Sequence, residues 1–99
     1  MGNPSKESQP AVWTVETWRV ADGRERHFLG QCQSLTPGPL VLYRDLEQPG
    51  MFWSPAKWES LEALRGWKAG KEYLTTIESL TEDVVEHHVY LMRSVPGFP

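Results

Sequence analysis

Residues 52–80 change from the periodicity of a strand to that of a helix, and this change constrains the fold more than any other feature of the chain. The segment opens with strong strand formers, which predict a strand over residues 51–54. Ser60 then offers an N-cap oxygen to a helix whose apolar face carries Leu64 and Trp67. A strand that leads into an amphipathic helix indicates a mixed α and β architecture.

A break is predicted within the helical part of this segment. Gly66 and Gly70 both weaken a helix, because glycine loses the most backbone freedom when it is ordered, and we place the break near Gly70. A second helix is predicted over residues 71–80. Its apolar residues recur with helical period at Tyr73, Leu74, Ile77 and Leu80.

The chain before this segment predicts a strand, a helix and a second strand. Residues 11–20 are rich in β-branched and aromatic side chains that fall on both parities, which indicates a strand covered on both faces. Asp22 and Glu25 have the spacing of a capping box, so we expect a helix over residues 23–35 that ends at Thr36–Pro39. Residues 40–46 then form the strand that pairs with residues 51–54 through a Pro-Gly turn.

The last strand, residues 83–95, completes a β-α-β-β-α-β order. This is the split βαβ pattern of ferredoxin-like α+β folds, an antiparallel sheet with helices on one face. Neither parity of the first or last strand is cleanly polar, so the other face of the sheet needs a cover. We expect a second copy of the chain to supply it, in a sheet-to-sheet homodimer with twofold symmetry.

Composition sets the remaining bounds. The chain of 99 residues is predicted to hold one domain over residues 11–99, preceded by a polar, disordered segment over residues 1–10. A net charge of -3 argues against a nucleic-acid partner, which needs clustered cations. One cysteine, Cys32, and the lack of a long apolar run favour a reduced, cytoplasmic protein with no membrane partner.

The aromatic content is high for a chain of this size. Five Trp, three Tyr and three Phe are difficult to bury in one small core, since each carries roughly 150–250 Å² of surface. They either fill the core and its margins or line a ligand pocket and an oligomer contact. Because large exposed apolar patches are rare on monomers, the set as a whole favours a pocket together with an oligomer contact.

Histidine and glutamate supply the candidates for proton transfer. His87 and His88 are adjacent on a strand and point to opposite faces, so one faces the helices and the two cannot share a metal ion. His27 lies either beside the cavity or at the solvent edge of its helix. Glu16, central in the first strand, is either a buried base or the partner of an arginine, Arg19 or Arg93.

The residues described so far resemble the antibiotic biosynthesis monooxygenase (ABM) domain of the dimeric α/β-barrel superfamily. The likeness spans roughly residues 12–95 and is carried by the early tryptophan-containing strand, Pro37–Leu40, Trp58–Ala63 with Trp67, and Glu86–Tyr90. The resemblance implies a homodimer in which each subunit holds a cavity between its helices and its sheet. Enzymes of this kind oxidise electron-rich polycyclic phenols to quinones with O2, and use no flavin, metal or haem.

The resemblance and the positions of the residues together give the candidate site residues. Trp67 is the first candidate for a cavity wall and Tyr73 offers a hydroxyl, while Trp18, His27 and Arg44 complete the predicted substrate-binding set. Arg44 would orient an anionic phenolate, unless it forms an interface salt bridge. The candidates for catalysis are His88, His87 and Tyr73.

A haem-degrading branch of the superfamily is disfavoured. Its axial histidine would fall near Ile77, which is apolar here, and the asparagine of its first strand is absent. Two functions therefore remain: a cofactor-independent monooxygenase acting on an aromatic or polyphenolic molecule, or a non-catalytic dimeric module that binds a small apolar ligand or serves in a stress response.

Overall fold

The computed structural model describes residues 11–35, apart from the Leu35 side chain, and residues 41–98. The predicted disorder of residues 1–10, the helix stop at Thr36–Pro39 and the start of the second strand at Leu40 lie outside the described residues. The elements are β1 Val12–Val20, α1 Glu25–Leu35, β2 Tyr43–Arg44, β3 Met51–Trp58, α2 Leu61–Lys68, α3 Lys71–Thr81 and β4 Val84–Arg93.

The four strands form one antiparallel sheet in the order β2-β3-β1-β4. The predicted ferredoxin-like α+β fold is thus confirmed, with the second helix divided in two. None of the helices in the described residues combines the length and the apolar character needed to cross a bilayer.

Strand β1 is one of the two central strands of the sheet, and its two faces have different neighbours. Trp18 and Val20 point towards the helices and pack with Phe28 and Cys32 of α1. Phe52 of β3 and Leu80 of α3 complete this core.

The opposite side of the sheet carries no helix within the described residues, and we call it the open face. The strand register aligns Trp13, Val15 and Thr17 of β1 with side chains of β3 and β4 on this face. Most of the apolar side chains on this face are half-buried or exposed. They include Trp13, Val15, Tyr43, Trp53, Pro55, Tyr90 and Met92.

Helix α1 begins at Glu25, two residues later than predicted. Gly23 has a φ of +80°, which is the left-handed region and cannot belong to a right-handed helix. The first helical bond instead runs from the Phe28 amide to the Arg24 carbonyl, 2.9 Å. The helix start predicted at Gly23 from the capping-box spacing of Asp22 was therefore wrong, because Gly23 lies in a turn before the helix.

Strand β3 is longer than predicted and β2 is shorter. The predicted end of β3 at Ser54 was wrong, because the strand continues through Pro55 to Trp58. β2 pairs only with Phe52 and Trp53, so beyond Trp53 no strand among the described residues pairs with the outer edge of β3. Proline is tolerated there because no ladder donor is needed on that side.

The predicted break between the two later helices is confirmed. Ser60 caps α2, since its Oγ accepts a hydrogen bond from the Ala63 amide at 3.0 Å, and Gly70 is the N-cap residue of α3. Leu74 is the exception to the predicted apolar face of α3, because it is 58 % exposed. Its neighbour Tyr73 points inward, and one step along a helix turns a side chain by about 100°.

Candidate functional site

A cavity of about 190 Å³ lies between the helix-covered face of the sheet and helices α2 and α3. Its walls are largely aromatic, because three tryptophans and a tyrosine from four different elements converge on it. These residues are Trp18, Trp58, Trp67 and Tyr73.

Hydrogen bonds and ring contacts hold the aromatic walls in place. The Trp18 indole donates to Ser54 Oγ at 3.0 Å, and the Trp58 indole donates to Thr14 Oγ1 at 2.9 Å. The rings of Trp67 and Tyr73 meet edge to face with their centroids 6.0 Å apart. Since the two indole donors are already satisfied within the protein, these walls offer ring faces to a ligand.

Glu16 is the one acidic residue among the described residues that line this cavity, and it has a specific partner. Its Oε1 lies 2.9 Å from His87 Nε2, and the His87 ring stacks on Trp18 with the centroids 3.9 Å apart. Both side chains are mostly buried, His87 at 17 % and Glu16 at 23 % exposure. The arginine partners proposed for Glu16 from the sequence, Arg19 and Arg93, were therefore wrong.

The Tyr73 hydroxyl and the Cys32 thiol also border the cavity, and both stay protonated near neutral pH. Burial, followed by the negative charge of Glu16, raises the pKa of the Tyr73 phenol. Burial raises the pKa of the Cys32 thiol to about 11. Tyr73 is thus a hydrogen-bond donor beside the Glu16 carboxylate, and Cys32 behaves as a small apolar side chain.

A small side pocket of about 20 Å³ adjoins the cavity on the side of α2. It shares Glu16, Trp67 and Tyr73 with the main cavity, and adds Leu64 and Lys68 of α2. The side pocket is thus lined by one cation, Lys68, and one acidic residue, Glu16. We call this side pocket the mouth.

The structure places the predicted site residues in two groups. Trp18, Trp67 and Tyr73 line the cavity, and His87 reaches it through Glu16. Ile77, the position that argued against a haem ligand, also lies on the cavity wall.

The other predicted site residues lie elsewhere. His88 is on the open face, where its Nε2 lies 3.1 Å from Glu86. Arg44 forms a salt bridge with Glu25, and its guanidinium carbon lies over the Phe52 ring, 5.0 Å from the ring centroid.

His27 belongs to a separate charged cluster at the start of α1. The Asp83 carboxylate is fully buried there and accepts a hydrogen bond from Arg24 Nε at 2.7 Å, while His27 Nδ1 lies against its other oxygen. Burial alone would raise the pKa of Asp83, but the hydrogen bonds from His27 and Arg24 outweigh it and lower the pKa. The cluster ties α1 to the turn before β4.

The sequence did not predict that Trp58 and Thr14 line the cavity, or that Asp83 holds a buried charged cluster. A longer β3 was the signal needed for Trp58, because the register then aligns it with Val12 beside the cavity. Among the described residues, no group of three or more His, Cys, Asp or Glu side chains is placed to hold a metal ion.

Comparison with known proteins gives the fold a context. No family model and no curated protein sequence matches this chain. Among solved structures, it is similar to a conserved protein from Methanosarcina mazei Go1, with 19 % identity, a TM-score of 0.77, and 90 % of this chain and 97 % of that chain covered.

Two further similar structures carry a functional name. A protein from Bordetella bronchiseptica, provisionally named an antibiotic biosynthesis monooxygenase, is 18 % identical with a TM-score of 0.77, covering 88 % of this chain and 99 % of that one. One from Nitrosomonas europaea with the same provisional name is 10 % identical with a TM-score of 0.75, covering 92 % and 96 %. At these identities the likeness establishes a shared fold.

Proposed function

We propose that this protein is a cofactor-independent monooxygenase of the ABM type, which oxidises a phenolic aromatic molecule to a quinone with O2. The observation that carries the proposal is the pairing of Glu16 with His87 on the wall of an aromatic cavity. The fold supports it, because structures named as ABM proteins share the whole architecture.

The reaction needs little from the protein. A phenol that loses its proton becomes electron-rich enough to pass an electron to O2, and the two radicals combine at a ring carbon. Loss of water from the resulting peroxide gives the quinone, so that 1-naphthol and O2 yield 1,4-naphthoquinone and water. The protein must bind the ring, accept the phenolic proton and exclude bulk water.

Three side chains have roles in this scheme. Glu16, as a carboxylate on the wall, accepts the phenolic proton. His87 is a positioning residue, since its ring is fixed by stacking on Trp18 and holds one Glu16 oxygen. Tyr73 stays protonated and can donate a hydrogen bond to the developing phenolate.

The aromatic walls bind the substrate. Flat rings fit between indole faces, and offset or edge contacts between rings contribute about 0.5–1.5 kcal/mol each beyond the burial of area. Trp67 is the main candidate, because its ring is already oriented by an edge contact with Tyr73.

A homodimer is part of the proposal. The open face of the sheet carries a set of apolar side chains that no helix covers in the described residues, and a second copy packed sheet to sheet would bury them. Such a dimer leaves the cavity of each subunit on the far side of its sheet, between the sheet and its own helices.

Oxygen consumption tests the proposed activity. The protein is incubated with 1-naphthol and a panel of related phenols in an oxygen electrode, beside the Glu16→Gln variant. We expect oxygen uptake by the wild type and a kcat lower by about 10²–10⁴-fold in the variant, the usual contribution of a general base. The isosteric amide keeps the shape of the side chain and cannot accept the proton.

Binding without turnover is the contrary result. If no phenol in the panel raises oxygen uptake above that of buffer while calorimetry shows that the phenols bind, the protein is a non-catalytic ligand-binding module. Equal turnover by the wild type and Glu16→Gln would remove Glu16 from the scheme.

A further inference from the structure

Lys68 is placed where it can distinguish a negatively charged ligand from a neutral one. It is the last residue of α2 and lines the mouth, and Leu64 lines the same pocket one helical turn earlier. Lys68 is solvent-exposed and lies on the same face of α2 as the buried Leu64. Within the described part of the chain, Lys68 takes part in no ion pair, so its ammonium group is available to a ligand.

The charges around the cavity are asymmetric. Of the described residues that line the cavity and the mouth, only Glu16 and Lys68 are charged. Glu16 lines both pockets whereas Lys68 lines only the mouth, so a ligand carboxylate in the main cavity would meet Glu16 with no lining cation beside it. The same carboxylate is attracted to Lys68, so an acidic aromatic ligand has one favoured direction, with its anion in the mouth.

The volume of the cavity limits the ligand. A cavity of about 150 Å³ in another protein holds one benzene ring. The cavity here measures about 190 Å³, and the mouth adds about 20 Å³. One ring, or two fused rings with part of the molecule in the mouth, fills this space, whereas four fused rings exceed it.

We infer that the substrate of this site is a small phenolic acid of one or two rings, with its hydroxyl at Glu16 and its carboxylate at Lys68. The inference rests on the proposed function for the chemistry that follows binding, and on the charges and volume of the site for the ligand class. Lys68 is thus a specificity-determining residue.

Calorimetric titration under nitrogen tests the inference apart from turnover. The probes are 1-naphthol and 5-hydroxy-1-naphthoic acid, which share the ring and the hydroxyl and differ in a carboxylate at the far end. We expect the acid to bind about fivefold more tightly, the size of a single charge pair in a wet site. Raising the salt concentration should reduce this preference.

Two lysine variants separate a local effect from a change in total charge. Lys68→Met should lower the ratio of the two affinities to about one. Lys71→Met is the matched control, because Lys71 is exposed, lies three residues away and lines neither pocket. It should keep the wild-type preference.

Several outcomes of these titrations would contradict the inference. Equal affinities of the wild type for the two probes, a preference that survives in Lys68→Met, or the same loss in Lys71→Met would overturn the inference. Tight binding of the four-ring phenol 1-hydroxypyrene would contradict the size limit.

Oxygen uptake with the same two probes distinguishes this inference from the proposed function. A Lys68-dependent preference in binding, with no oxygen uptake from either probe, supports the ligand class and contradicts the monooxygenase. Turnover of both probes with equal kcat/KM supports the monooxygenase and contradicts the ligand class.

Discussion

The two faces of the sheet carry similar side chains and differ in what covers them. Each has tryptophans from β1 and β3, and each has a histidine of β4 beside a glutamate. On the helix-covered face the pair is His87 with Glu16, mostly buried against Trp18. On the open face it is His88 with Glu86, and both side chains are about half exposed.

This difference shows that residue type alone does not define the site. His87 and His88 are neighbours in sequence, and strand alternation sends one to a cavity and the other to the open face. The covered pair lies in a drier environment, where a charge interacts more strongly than it does in water. The open-face pair is screened by solvent.

The largest expected effect concerns the open face and its proposed partner. Val15→Glu places a carboxylate in the middle of this surface, next to Pro55 and Tyr90 in the register. Burying that charge without a counterion should weaken the dimer on the order of a hundredfold or more. Light scattering across micromolar concentrations measures the mass.

Leu74→Glu is the control for this experiment. Leu74 is an exposed apolar residue on α3, so the same change of charge on the other layer should leave the dimer intact. A wild-type protein that is monomeric throughout the concentration range would reject the dimer.

The next largest effect separates the two histidines. His87→Gln should lower kcat about ten- to a hundredfold, because Glu16 loses the side chain that holds it, while His88→Gln should change kcat little. The pH profile of kcat/KM should shift only in His87→Gln, which a purely structural role would not produce. If His87→Gln and His88→Gln lower kcat equally, the proposed functional difference between the two faces of the sheet is wrong.

Acid stability compares the buried Asp83 with the exposed Glu86. The pKa of each is lowered in the folded protein, for Asp83 by its bonds to His27 and Arg24 in spite of burial. Each therefore stabilises the fold fully above the ordinary carboxyl pKa, near 4, and loses that contribution as pH falls through the lowered folded pKa.

Denaturant unfolding between pH 2 and pH 7 measures this difference. Asp83→Asn should remove more of the acid-induced loss of stability than Glu86→Gln does, since Asp83 is buried and Glu86 is solvent-screened. The reverse order would show that the open face is covered more completely than the Asp83 cluster.

The smallest expected effect compares two tryptophans. Trp67→Phe should weaken binding of 1-naphthol about three- to fivefold, because a smaller ring leaves part of the wall without contacts. Trp53→Phe, on the open face, should leave the affinity unchanged. If calorimetry gives the wild-type affinity for Trp67→Phe, the role of Trp67 is packing.

Local signals made much of the fold predictable. The Ser60 cap and the break at Gly70 depend on residues within a few positions of each other, and both were confirmed. The start of α1 was not, because Asp22 had the right spacing but Gly23 adopts a left-handed conformation.

Long-range partners were not predictable in the same way. Glu16 and His87 are 71 positions apart, and their contact depends on the register of β1 and β4. Asp83 and His27 are 56 positions apart, and their contact depends on how α1 packs against the turn before β4. Strand alternation predicted that β1 has two different faces. It did not predict which arginine or histidine contacts Glu16. Trp67 and Tyr73 were found through the family resemblance, whereas Trp58 required the full length of β3.

Oxygen labelling tests the central claim, that the helix-covered face is the site of a cofactor-free monooxygenation. The wild-type protein is incubated with a two-ring phenol under ¹⁸O2, and the quinone is analysed by mass spectrometry, with H2¹⁸O as the control. The proposed reaction predicts one labelled oxygen per quinone from ¹⁸O2, none from water, and loss of the product in Glu16→Gln. Unlabelled quinone with hydrogen peroxide, or no product above the protein-free rate, would contradict it.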